Sequence, residues 1–304
     1  MQEVGVIGSI NLDTIHHPDG RRSDSLGGIL FTACALAHLG QGRLRTRPFA
    51  RLPREIEPRV EALLRACPEV SQDGLRRLDG PGFRCEIRYD RAGRKSELLR
   101  GDVPPLGPAD LPGPGSSLDA LLVNFITGFE LEPDTLRGLR RIVHGPILMD
   151  VHSLTLARDA EGRRHLRPPP SWPLWASMAD VVQMNELEAR TLGAPPEELQ
   201  EWAVSLLDLG PKVAVITLGE KGALCAWRAS DGGVRRLRRP AAAVAAGLPV
   251  DPTGCGDVFL AAMAAGLLAG GTVPRALDRA IRAASRNCTL TGIESLCLLA
   301  EEGS

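Results

Sequence analysis

The sequence predicts an α/β fold, a doubly wound and mainly parallel sheet flanked by helices, with a small, reduced β lid attached. Three observations carry that expectation. Four apolar runs alternate with helical segments: ALLVNF (closing at Asn124), PILMDVH (Asp150 and His152), DVVQMN (Asn185) and KVAVITLG (Thr217 and Gly219). That alternation is the pattern of a parallel sheet. Each run finishes in a polar side chain, and in a doubly wound sheet this lines one edge with ligand-facing groups such as Asn124 and Asp150. The chain then closes on DPTGCGDVF, residues 251–259, which leads into two helices rich in Ala and Leu, Val258–Gly270 and Arg275–Thr289.

Composition bounds the answer. A chain of 304 residues with 43% hydrophobic and 24% charged residues suits one sizeable domain with a small appendage, or two modest domains, and can bury a full core; a single α/β domain, 1–304, is expected. A net charge of -1 argues against nucleic acid or an anionic membrane surface as the main partner. The seven cysteines form no C-x-x-C pair and lie mostly in apolar runs, which suits reduced thiols in a cytoplasmic protein. No basic stretch leads into an apolar one near residue 1, and no apolar span reaches bilayer length, so a cytoplasmic location is expected.

Taken in order, VGVIGSINLDTI (residues 4–15) begins as a buried strand and ends in polar residues. This places Asn11 and Asp13 at or just beyond its carboxyl end. Side chains at i and i+2 point the same way and can grip two hydroxyls of a polyol, although an Asx turn explains them as well. Gly5 and Gly8 do not make a G-x-G-x-x-G dinucleotide fingerprint. Residues 14–26 are polar with a turn signal at Pro18–Gly20 and no alternating pattern, so a lid built here is short. Gly27 and Gly28 open an apolar helix that Gly40 ends; they permit close approach of a ligand or serve a packing turn. Thr46–Leu52 reads weakly as a strand and Arg54–Cys67 as an amphipathic helix. Residues 83–101 read as a charged hairpin with its turn at Ala92–Gly93, giving a two-stranded lid. The Pro- and Gly-rich stretch 106–117 returns the chain to the body.

Asn185 followed by Glu188 is a capping box at a helix start. VITLGEKGALC, residues 215–225, reads as two strands joined by a Gly-rich turn, and it is no Walker motif. In the closing stretch, Gly254 and Gly256 let the backbone gather successive N–H groups at a helix N-terminus, an anion-binding nest. Asp257 beside it either favours the helix dipole or serves as a general base, since a carboxylate otherwise repels a bound phosphate. A base beside a phosphate cradle is what phosphoryl transfer to an alcohol requires.

DPTGCGDVF resembles the signature of the ribokinase-like (PfkB-type) carbohydrate kinases, and five segments fall in that family's order: Asn11/Asp13, Gly27/Gly28, Asn185/Glu188, 217–222 and 251–257. The resemblance implies ATP-dependent transfer of the γ-phosphoryl group to a hydroxyl of a sugar or sugar-like molecule. Asp257 would be the base, and the N–H groups of Gly254, Cys255 and Gly256 would hold the transferring oxygens. It implies that Asn11, Asp13, Gly27 and Gly28 face the acceptor together with Thr32, which stands where the family has Asn. It further implies that Asn185 lies near the phosphates, that Glu188 positions Mg²⁺ through water, and that Thr217, Gly219 and Gly222 follow ribose and phosphates. Asp251 and Thr253 occupy places that bind K⁺ in some relatives. An Asn usual in the last helix is expected to be replaced by Ile281. A nucleoside kinase, a non-catalytic sugar- or nucleoside-binding relative and a generic α/β binding protein are the alternatives, and either a monomer or a homodimer is compatible.

Overall fold

The computed structural model describes residues 1–16, 20–89, 95–113, 115–116, 118–244 and 250–301. Pro18 and Asp19 of the first expected turn, the expected turn at Ala92–Gly93, and residues 245–249 before the closing stretch lie outside the described residues.

The first segment is two strands rather than one. β1 (Gln2–Ile7) stops at Gly8, where a Cβ would stand 2.0 Å from the Ile29 side chain and 2.8 Å from the Asn124 carbonyl. The chain squeezes past these groups and restarts as β2 (Ile10–His16), so Asn11 and Asp13 belong to β2 and not to the carboxyl end of β1. β3 (Arg22–Gly28) pairs antiparallel with β2 from Ile10↔Gly28 to His16↔Arg22. Its first residues are polar because they form an exposed edge strand, which is why no alternation is visible in the sequence.

α1 (Leu30–Gly40) leads to β4 (Leu44–Pro53), α2 (Glu57–Arg65) and β5 (Leu75–Leu78). β6 (Arg84–Tyr89) and β7 (Lys95–Arg100) form the expected hairpin, but β6 also pairs parallel with β2. The lid is therefore a four-stranded sheet, in the order β3-β2-β6-β7, rather than a two-stranded one.

The body continues with β8 (Ala120–Asn124), α3 (Pro133–Arg140) and β9 (Ile147–Asp150). A small hairpin that the apolar pattern does not announce follows: β10 (Leu156–Arg158) and β11 (Arg164–Leu166). It is joined to the lid by Leu99 N–H donating to Gly162 O at 2.8 Å. Then come α4 (Trp172–Ser177), β12 (Val181–Asn185), α5 (Glu186–Thr191), α6 (Leu199–Leu206), β13 (Val213–Thr217), β14 (Ala223–Arg228) and β15 (Val234–Arg239). α7 (Cys255–Leu268) and α8 (Val273–Asn287) complete the body.

The large sheet has nine strands in the order β15-β14-β13-β12-β9-β8-β1-β4-β5. From β5 to β13 every pair is parallel, and β14 and β15 are antiparallel additions. Both margins are rich in arginine, LRRL in β5 and VRRLRR in β15. Interior strands bury both faces, as a two-layered cover demands. On β8, Ala120 and Leu122 pack with α1, α7 and α8, while Leu121 and Val123 face the opposite cluster with α3, α4 and α6. α7 is apolar nearly all round and accordingly buried from Val258 to Gly266. Its small residues admit α8 closely: a Cβ on Gly266 would stand 3.0 Å from Ala276. Among the described residues no helix is long and apolar enough to cross a membrane.

Candidate active site

The site forms where strand ends meet the N-terminus of α7. Gly254 adopts φ 73°, and a Cβ there would lie 2.4 Å from the Phe31 ring, so only glycine lets α1 and the turn lie this close. The first N–H groups of a helix lack intrahelical partners. Here Val258 N–H already bonds Gly254 O, and Cys255 N–H turns back to Pro252 O at 3.2 Å. Gly256 and Asp257 thus carry the N–H groups that no carbonyl of the helix takes, so the expected share of Cys255 in the nest is reduced.

Asp257 is half-buried, and its Oδ1 accepts two hydrogen bonds, from Thr32 Oγ1 and Asn124 Nδ2, each at 3.0 Å. Asn124 Nδ2 also donates to Thr32 Oγ1 at 2.9 Å. Thr32 and Asn124 are both 0% exposed. Whatever they do towards an acceptor, both donate to the carboxylate of Asp257. Burial pushes the Asp257 carboxyl above its ordinary range, opposed by the charge of His152 and then by these two donors.

The strand ends meet the same turn in register. Asp150 pairs with Asn124 on one side and Gln183 on the other, and Asn185 pairs with Thr217. Asp150 Oδ2 comes to 3.6 Å from where a Gly256 Cβ would be, and Gln183 Nε2 donates to Gly256 O at 2.9 Å. Asp150 is buried, and its carboxyl is pushed well up by burial and then by the charge of Glu188. Gln183 is a site neighbour that the strand pattern passes over. A lone amide inside an apolar run is its only signal.

Asn185 and Glu188 form the capping box. Asn185 Oδ1 accepts from Glu188 N–H at 2.9 Å and Glu188 Oε2 accepts from Asn185 N–H at 2.8 Å. Glu188 Oε1 also meets Asn185 Nδ2 at 2.6 Å and His152 Nδ1 at 3.2 Å. His152 sits at the end of β9 with φ 26°, a strained value for a residue with a Cβ.

Gly27 has a clear purpose, since a Cβ there would stand 1.8 Å from Asp13 Oδ2, so the Asp13 carboxyl lies across its backbone. Gly28 (φ 76°) would bring a Cβ to 2.0 Å from Ser9 O. Asn11 is 3% exposed, and its Oδ1 is buried with no hydrogen-bond partner among the described residues. The chain runs from Gly27 and Gly28 directly into α1, whose Phe31 and Thr32 touch Gly254 and Asp257, so the lid strand and the signature turn share one support.

Elsewhere the expectations divide. Thr217, Gly219 and Gly222 lie at the β13–β14 turn, closed by Leu218 N–H to Gly222 O at 2.8 Å. Gly222 is required by packing, because a Cβ would stand 2.0 Å from Arg239 O, whereas Gly219 borders open space. Asp251 Oδ1 accepts from Thr253 N–H at 2.9 Å, a local Asx turn, and the described residues contain no cluster of three metal-binding side chains. Ile281 is buried in the core. Later in the same helix, Asn287 donates to Thr253 O at 2.9 Å and to Cys255 Sγ at 3.3 Å. Cys255 Sγ lies 3.1 Å from Cys288 Sγ. Their contact and burial push the Cys255 thiol up, while the same contact, opposed by burial, draws Cys288 down to about 7.

A parallel sheet with a β lid, its strand ends meeting a helix N-terminus that presents a carboxylate, is the architecture of the ribokinase fold. Comparison with known proteins agrees. Residues 165–299 match the pfkB family carbohydrate kinase model. The chain is 29% identical to the cytidine kinase of Thermococcus kodakarensis over 93% of each chain. Among solved structures, it superposes on a pyrophosphate-dependent kinase in the ribokinase family (TM-score 0.78, 21% identity, 95% of this chain and 96% of that one). It also superposes on the ribokinase of Thermotoga maritima (TM-score 0.75, 19% identity, 97% and 96%). Together the matched segment, the relative and the superpositions support a ribokinase-like protein of the PfkB carbohydrate kinase type.

Proposed function

We propose that this protein transfers the γ-phosphoryl group of ATP to a hydroxyl of a small sugar or nucleoside, with Asp257 as general base. The observation that carries the reading is the Asp257 carboxylate, held by Thr32 and Asn124 in the first turn of α7, where no backbone carbonyl among the described residues takes the Gly256 N–H. The acceptor hydroxyl gives its proton to Asp257 as its oxygen attacks the γ-phosphorus. The bond from that phosphorus to the bridging β–γ oxygen breaks, and ADP leaves. The N–H groups at the start of α7 receive the charge on the transferring oxygens. Asn11 and Asp13 on the lid strand hold the acceptor, and Asn185, Thr217 and Gly219 border the donor.

The donor set suits Mg²⁺. Asp150 and Glu188 are neighbouring carboxylates, the charge of Glu188 adding to burial in raising the Asp150 carboxyl, and Mg²⁺ is commonly held by one or two carboxylates together with substrate phosphates. When bound there, the ion would neutralise phosphate charge. Asp251 and Thr253 satisfy each other in a turn, which gives K⁺ no support here.

The similarity to a cytidine kinase over nearly the whole chain supports a nucleoside acceptor in particular. The test is turnover with ATP or pyrophosphate as donor and cytidine, ribose or myo-inositol as acceptor. Asp257→Asn keeps the size and the local hydrogen bonds while removing the base. It is expected to lower kcat by about 10²–10⁴ for whichever pair reacts. Equal kcat in the variant would overturn the assignment.

A further inference from the structure

The signature turn is strapped to the far end of α8. Asp251 N–H donates to Cys288 O at 2.8 Å, Asn287 Nδ2 holds Thr253 O, and the Cys255 and Cys288 sulfurs stand 3.1 Å apart. Cys34, Cys67, Cys85 and Cys225 are buried, whereas Cys255 and Cys288 are both partly exposed. Two accessible thiols in contact, one of them in the first residue of α7, make an arrangement that packing alone does not require, since any small apolar residue would fill either place.

We propose that Cys255 and Cys288 are a reversible disulfide site, through which a peroxide displaces the anion-binding turn of α7. The chemistry balances with hydrogen peroxide as the oxidant. One thiol loses its proton, its sulfur attacks a peroxide oxygen to give a sulfenic acid, and a first water leaves. The second thiol attacks that sulfenic sulfur, the S–S bond forms, and a second water leaves. The two sulfurs are oxidised and the peroxide is reduced. A dithiol reductant reverses the change by exchange.

The geometry fixes the consequence. A disulfide needs about 2.05 Å between sulfurs, so closing the pair draws Cys255 towards α8 by roughly 1 Å. Cys255 begins the turn that carries Gly256 and Asp257, and a displacement of about 1 Å in a positioned site can cost on the order of 10²-fold in rate. The structural part of the inference stands alone, while the effect on turnover rests on the kinase reading given above.

The test treats the full chain with hydrogen peroxide, then maps peptides without reduction and measures turnover before and after dithiothreitol. The expected result is a peptide linking 255 to 288, a loss of turnover on the order of 10²-fold, and recovery on reduction. Cys288→Ser, with Cys288→Ala as a second variant, should keep its activity through the same treatment. Cys67→Ser controls for the other close thiol, which lies 3.5 Å from His38 Nε2, and should respond as the parent does. Absence of the linked peptide, or its formation with turnover unchanged, overturns the proposal. If the reduced chain phosphorylates no acceptor, the kinase reading fails, and the peptide map still decides whether the disulfide forms.

Discussion

Asp257 shows how a single side chain is tuned by residues far away in sequence. Burial raises its carboxyl, while Thr32 and Asn124, 225 and 133 residues away, lower it by donating to the charged form. A base works only when ionised, so turnover falls as pH drops through the raised value. Asn124→Leu removes one of the two donors, and the acid limb of the kcat–pH profile is expected to move to higher pH. An unmoved limb would mean that Asn124 does not set the charge of the base. Asp150 gives the complementary prediction for stability. Its folded pKa is raised, so its contribution is present below the unfolded value of about 3.9 and is lost as pH rises through the folded one. Asp150→Asn should therefore raise Tm at pH 8 in the ligand-free protein by more than it does at pH 4. At this scale the sequence reveals residues whose partners or motif are local: the Asn185–Glu188 box is read from spacing, and the two glycines and Asp257 from one short signature, though the distant partners of Asp257 are not. Gln183 and Asn287 escape it, because their partners lie 73 and 34 residues away and nothing beside them marks the contact.

Among the elements, the entry into α7 depends on a glycine that the sequence marks and on an aromatic neighbour that it does not. Gly254→Ala imposes a left-handed backbone on a residue with a Cβ and drives that atom into the Phe31 ring. It should destabilise the fold by about 1–3 kcal/mol from the backbone alone, read as a shift in urea midpoint. Phe31→Ala on the same background should restore part of the loss, because the two changes share one contact. The body strands are legible because apolar runs bounded by turn residues leave few alternatives. The lid strands are less so. β3 looks like a loop because an edge strand exposed to water has no need of an apolar face, and the break between β1 and β2 is imposed by Ile29 and the Asn124 carbonyl rather than by a breaker. The β10–β11 hairpin is too short for its pattern to stand out.

For the molecule as a whole, the lid and the body differ in how much apolar surface holds them. Among the described residues the lid's own cluster has only Phe83, Cys85 and Leu99 as buried members, whereas each face of the nine-stranded sheet lies under a continuous core. Local opening follows such differences. Amides of β6 and β7 are expected to exchange with deuterium faster than those of β8, β9 and β13, and a bound acceptor should slow the lid amides selectively. Equal rates without ligand would show that the lid is as firmly held as the body. A nine-stranded sheet also has two open margins where another chain's backbone can dock. In this protein both margins carry guanidinium groups, several of them paired with acidic neighbours (Arg77 with Glu57, Arg235 with Asp231, Arg236 with Glu201, Arg239 with Asp278), so a second copy approaching edge to edge meets hydrated ion pairs before any backbone hydrogen bond can form. The charges that make these strands look unpromising as sheet formers thereby confine pairing to the molecule itself and keep crowded copies from lengthening one another's sheet.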